Sequence, residues 1–208
     1  MVSTIPNNTP NISSSGTQKR EPGERRREIL QTLAQMLEQP AGERITTALL
    51  AKKLDVSEAA LYRHFASKAQ MYEGLIEFIE ETIFSLINKI QTEEADGLRQ
   101  IERVVQVLLN FSQKNIGMTR VLIGDALVIE DERLQRRMNQ LHDRIEASLR
   151  QSARLAIAAK SLPEHFDSAA YANAVLAYAI GRWHQFAKSG FKRAPAEHWP
   201  LQWPIFAA

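Results

Sequence analysis

From Glu24 to the C-terminus, apolar side chains recur every three or four residues, and no stretch alternates long enough to argue for a sheet. The pattern therefore predicts an all-α protein. A first helix is expected over 24–38, with Ile29, Leu30, Leu33, Met36 and Leu37 on one face. A turn at "PAGE", residues 40–43, precedes a helix over 45–54, capped by Thr46 or Thr47. Asp55 breaks it, and Ser57 caps a helix of barely two turns. A long helix follows over about 68–91. Its inward stripe is Leu75, Ile76, Ile79, Ile83, Leu86, Ile87 and Ile90. Phe78 lies off that stripe and shares its face with Met71, Thr82 and Ser85.

The second half continues in the same period. Ile101, Val104, Val105, Leu108 and Leu109 face inward on a helix over 97–113, and a broken helical segment bends at Gly117 and Gly124. Over 130–160, Leu134, Met138, Leu141, Ile145 and Leu149 follow 4-3-4-4 spacing, a seam that fits packing on the same chain or on a copy. The last long helix, 167–188, ends at Gly190 and is rich in alanine and glycine at its centre. Small side chains permit close approach of another helix, so it reads as half of a subunit interface in preference to a purely internal helix. Trp183, Trp199 and Trp203 read as core or interface packing.

Two helices of about eight residues joined by about three match a helix-turn-helix. Ala51 supplies the small residue at the crossing, and Asp55 occupies a turn position that requires positive φ. Val56, Leu61 and Phe65 are the core anchors. The outward face then carries Glu58, which favours the helix dipole from the first turn, and Ala59 and Ala60, small enough to let the backbone approach base edges. Tyr62, His64 and Lys68 have the reach for phosphate oxygens, and Arg63 suits either role. Thr46, Thr47 and Ser57 complete the candidate DNA-binding set. Arg25, Arg26 and Arg27 crowd the start of the first helix, against its dipole. Solubility and a nearby phosphate backbone both account for that run.

Charge adds a little. Residues 1–68 hold 10 Lys/Arg against 7 Asp/Glu, while the remainder hold 16 against 17. The front of the chain is the more suited to an anionic partner. Residues 1–22, rich in Asn, Ser, Thr, Pro and Gly, are expected to form a disordered tail. There is no cysteine, which excludes disulfides and thiolate chemistry. No apolar run reaches the ~20 residues needed to span a bilayer, and the start has no apolar signal core, so export is not expected. The five histidines show no metal spacing, and neither a phosphate loop nor a Ser-His-Asp arrangement appears. No enzyme, cofactor or metal is expected.

The run Thr-x-x-Leu-Leu-Ala-x-x-Leu-x-Val-Ser-x-x-x-Leu-Tyr-x-His-Phe-x-x-Lys, followed by a long amphipathic helix, resembles the TetR family. That resemblance implies a helix-turn-helix DNA-binding domain over 23–68 and a helical dimerisation and partner-binding domain over 69–208. It also favours the phosphate reading of Arg25–Arg27. With "LIEFIEETI", the stretch from Lys114 to Gln151 and the closing "HWPLQWPIFAA", the chain is similar to the nucleoid occlusion branch of that family. The likeness implies a cytoplasmic, nucleoid-associated homodimer on palindromic double-stranded DNA, with higher-order assembly there an open question. It implies a second partner, the C-terminal tail of the division protein FtsZ, held in a groove at Phe78, Lys114 and Asn115. By residue pattern alone, Phe78 equally suits packing beneath the first three helices. Two positions depart from the branch: its basic residue on the long helix falls on Leu86, and a glycine becomes Asn110. The alternative within the same fold is a transcriptional repressor released by a small apolar ligand.

Overall fold

The computed structural model describes residues 23–39, 45–128 and 130–207, so the expected tail at 1–22 and the turn at 40–43 lie outside the described residues. Among the described residues, the regular elements are all α-helices. In chain order they are α1 (Glu24–Leu37), α2 (Thr47–Lys53), α3 (Glu58–Tyr62), α4 (Lys68–Glu93), α5 (Gly97–Lys114), α6 (Ile116–Leu122), α7 (Glu132–Ala158), α8 (Ser168–Lys188) and α9 (Trp199–Phe206).

Local chemistry sets most boundaries. Side chains of Thr46, Ser57, Ser67, Asp96, Asp131 and Asp167 each accept a backbone N–H at a helix start. At the end of α2, Asp55 adopts φ 53°, the Val56 N–H donates to the Ala51 carbonyl, and the Asp55 N–H donates to that of Lys52. That pair of bonds is the Schellman arrangement, and it satisfies carbonyls that α2 leaves open. Gly124 and Gly190 also take positive φ where the chain turns out of a helix.

One continuous core runs from Ile29 on α1 to Trp199 on α9. Leu61 and Phe65 are buried anchors of this unit, in which α2 packs on α1 and α3, and α4 packs on α1 with its Gly74 against Leu30 and Phe65. α5 is the central helix of the remainder, touching α4, α6, α7 and α8. The heptad-like seam of α7 is buried within this chain at every position from Leu134 to Leu149. α8 folds back on α7, with Trp183 fully buried and its indole N–H donating to the Leu108 carbonyl at 3.2 Å. Two buried polar side chains are tied together: Ser152 on α7 donates to the Gln100 side chain, which donates to the Glu94 carbonyl.

Two sequence expectations about this frame are corrected. Gly117 is not a bend but an interior residue of α6, where an added Cβ would stand 2.0 Å from the Ala34 carbonyl oxygen of α1. It is a close-approach glycine. Met71 does not share an exposed face with Phe78; it is fully buried, because α4 packs against α1 on that side, while Gln70 next to it stays exposed.

Candidate functional site

The helix-turn-helix face comes first. Thr46 caps α2, its hydroxyl oxygen accepting the Leu49 N–H at 3.1 Å, and Ser57 caps α3 by accepting that of Ala60 at 3.2 Å. Both hydroxyl hydrogens stay available to a further acceptor. Ser57, Ala59, Tyr62, Arg63 and His64 are exposed, and Ala60 is half-buried. Tyr62 reaches across to α2, with its hydroxyl 3.5 Å from that of Thr47, and Thr47 in turn donates to the Glu58 carboxylate at 2.6 Å. Tyr62, Thr47 and Glu58 thus form one polar chain along the outer surface of both helices. Glu58 was not among the predicted site residues; an acidic side chain on a face meant for DNA gave no reason to single it out.

Two cations predicted for phosphate lie elsewhere. Lys68 turns away from the α3 face and forms a partly buried ion pair with Glu130, just before α7, while lying 5.6 Å from the Tyr72 ring centroid. The reason is position: Lys68 opens α4 at the seam where Glu130 carries a buried-side carboxylate. The same carboxylate, together with burial as the larger cause, pushes the Tyr72 phenol well above its usual value. Within the Arg25–Arg27 run, Arg26 lies over the Phe65 ring at 4.2 Å and donates to the His64 carbonyl, so it closes the end of α3. Arg25 pairs with Glu28 on its own helix, and Arg27 is exposed.

The second feature is a groove of about 360 Å³ between α4 and α5. One wall is the ridge Phe78, Thr82, Leu86 on α4, at i, i+4, i+8; the other is Val107, Asn110, Phe111 and Lys114 on α5, closed by Asn115. Phe78, Lys114 and Asn115 are therefore brought together. Phe78 is 47% exposed, and Phe111, 6% exposed, lies against the core. Lys114 is the one cation lining the groove. The Asn115 amide donates to the Phe111 carbonyl at 2.8 Å, and its own carbonyl accepts the Thr119 N–H, so one residue ends α5 and starts α6. Leu86 corrects the expected inward stripe: it is 39% exposed and lines the groove. Ile83, Ile87 and Ile90 are the buried positions of this part of α4, and position 86 falls at the edge of their stripe. Thr82, Val107 and Phe111 were missed as lining residues. The i, i+4 ridge starting at Phe78 is the signal that could have found Thr82 and Leu86.

Comparison with known proteins matches both parts. Residues 29–75 match the family described as bacterial regulatory proteins, tetR family, and residues 95–208 match the SlmA-like family of tetracyclin repressor-like C-terminal domains. The nucleoid occlusion factor SlmA of Idiomarina loihiensis is 51% identical over 181 residues, covering 87% of this chain and 92% of that one. SlmA of Alteromonas mediterranea is 50% identical, covering 88% and 93%. Among solved structures, the TetR family transcriptional regulator PfmR of Thermus thermophilus superposes with a TM-score of 0.71 at 22% identity, covering 86% of this chain and 96% of that one. The fatty acid degradation regulator FadR of Bacillus halodurans gives 0.75 at 12% identity, covering 91% and 97%. These two likenesses establish the fold. The half-identical relatives establish more: an all-helical chain with an exposed helix-turn-helix face and an α4–α5 groove, alike in sequence over 87% of its length, belongs to the SlmA nucleoid occlusion factors within the TetR family.

Proposed function

We propose that the protein is a DNA-associated inhibitor of cell division. As a homodimer it binds palindromic duplex sites through the α2–α3 face, and it holds the C-terminal tail of FtsZ in the α4–α5 groove, disrupting FtsZ polymers over the nucleoid. The observation that carries this reading is the convergence of Phe78, Lys114 and Asn115 on one groove. An aromatic half in solvent, an apolar wall and one cation suit a short peptide that brings an apolar side chain and a carboxylate. Leu86 in that wall makes the groove more apolar and leaves Lys114 as its cation.

The DNA part rests on the exposed Tyr62, Arg63 and His64 and on the caps of α2 and α3, whose hydroxyls retain donors for phosphate. The dimer part rests on α8. Its exposed positions Asn173, Ala174, Ala177, Gly181 and His184 follow helical spacing, and a Cβ at Gly181 would meet nothing within 4 Å. The half-identical relatives favour this function over a ligand-released repressor.

Sedimentation of FtsZ polymers with and without a cognate duplex tests the reading. The expected result is loss of pelleted polymer in the presence of the protein. Unchanged polymer yield in every condition leaves the repressor in its place. Phe78→Ala is expected to abolish the FtsZ effect and leave DNA affinity intact; loss of both assigns Phe78 to packing.

A further inference from the structure

The Tyr62–Thr47–Glu58 chain has a direction. Tyr62 donates toward Thr47, and Thr47 donates to Oε2 of Glu58 at 2.6 Å, so the hydroxyl hydrogen of Thr47 is already spent inside the protein. Thr47 thus serves first to hold the Glu58 carboxylate. The other oxygen, Oε1, has no partner among the described residues and belongs to an exposed side chain beside Ala59. A carboxylate only accepts hydrogen bonds. On a surface that meets DNA, phosphates repel it, so the groups that suit it are donors on base edges.

In the major groove two bases offer an amino donor, cytosine N4 and adenine N6. Adenine sets its N7 acceptor beside that donor, which opposes a second carboxylate oxygen, whereas cytosine presents its amino group without one. We propose that Glu58 is a specificity-determining residue that reads a cytosine in each half-site, with Thr47 as its positioning residue and Tyr62 bracing Thr47. The proposal rests on the DNA-binding reading given above. It assigns Glu58 a role beyond favouring the dipole of α3, the plain alternative for an acidic residue in a first turn.

The two roles separate by experiment. The wild-type protein, Glu58→Met and Glu58→Ala are each used to select sites from a random duplex library, and affinities are then measured on duplexes with single substitutions. The wild-type consensus is expected to hold a fixed cytosine in each half-site. Replacing that base pair by one presenting thymine, whose O4 is an acceptor, is expected to weaken wild-type binding about ten-fold or more. Glu58→Ala is expected to lose the preference at that position alone and keep the rest of the consensus. Thr47→Val, which removes the clamp and keeps the shape, is expected to relax the same position to a smaller extent. A uniform loss of affinity with an unchanged consensus overturns the proposal and leaves Glu58 a helix-start residue. Glu58→Met keeps the side-chain length and removes both carboxylate acceptors, so it decides the matter if the alanine variant unfolds: a full cytosine preference in Glu58→Met also overturns the proposal. If the wild-type protein enriches no consensus at all, the DNA-binding reading fails first.

Discussion

At Gly117 a methyl group would meet the backbone of α1, 2.0 Å from the Ala34 carbonyl oxygen and 2.9 Å from its carbon. Backbone cannot step aside as a flexible side chain does. Gly117→Ala is therefore expected to destabilise the fold by about 2–3 kcal/mol, read as a lower midpoint in urea. His142 makes a different kind of prediction. Burial holds its imidazole below the ordinary histidine value, and His184 acts the same way; a hydrogen bond to the Leu122 backbone and the Asp143 carboxylate oppose it. Its ring lies 6.0 Å from that of Trp183, and its Nε2 has no partner among the described residues. Below about pH 6.5 the unfolded chain takes up a proton there that the folded chain resists. Stability from this site is fully present above about pH 6.5 and is lost as pH falls through the depressed folded value. Thermal melts from pH 8 to 5 are expected to show the decline, and His142→Gln is expected to flatten it.

Among the elements, α6 and the start of α4 hold α1–α3 to the rest of the chain. Gly117 places α6 against α1, and Arg120 on α6 donates to the Leu37 and Gln39 carbonyls at the end of α1 while pairing with Asp125 at 3.2 Å. Arg137 on α7 pairs with Glu80 on α4 at 2.9 Å. The Lys68–Glu130 ion pair sits at the same junction, mostly screened from solvent. A lysine so engaged is a structural group. Lys68→Gln is expected to lower stability by about 1 kcal/mol, since the pair is only partly buried. The slope of log affinity against log salt for DNA binding is expected to stay as in the wild type. A lysine on phosphate predicts instead a slope reduced by about 1, so salt titrations of both proteins on one duplex distinguish the two roles.

For the whole molecule, the exposed small-residue face of α8 is the surface proposed above for dimer formation. Ala177 lies at its middle and is exposed, as are Asn173 and Gly181 one turn to either side. Within one chain an arginine at 177 has room, but it cannot be buried unpaired between two closely packed copies. Ala177→Arg is expected to sediment as a monomer with an unchanged helical spectrum, and to lose affinity for a palindromic duplex far more than for a half-site. An unchanged dimer places the interface elsewhere.

Much of this protein was legible from its residues one at a time. Helical period, the capping residues Thr46 and Ser57, the positive φ of Asp55 and the apolar seam of α7 all follow from local rules, because a helix is closed by bonds within a few residues of each other. The same periodicity set Phe78 apart from the core stripe. The tertiary structure alone decided what each surface residue meets. It turned Lys68 to Glu130, laid Arg26 over Phe65, buried Met71, left Leu86 in the groove and clamped Glu58 with Thr47. Those outcomes depend on partners 11 to 62 residues away in sequence, and spacing along one helix carries no information about the helix packed against it.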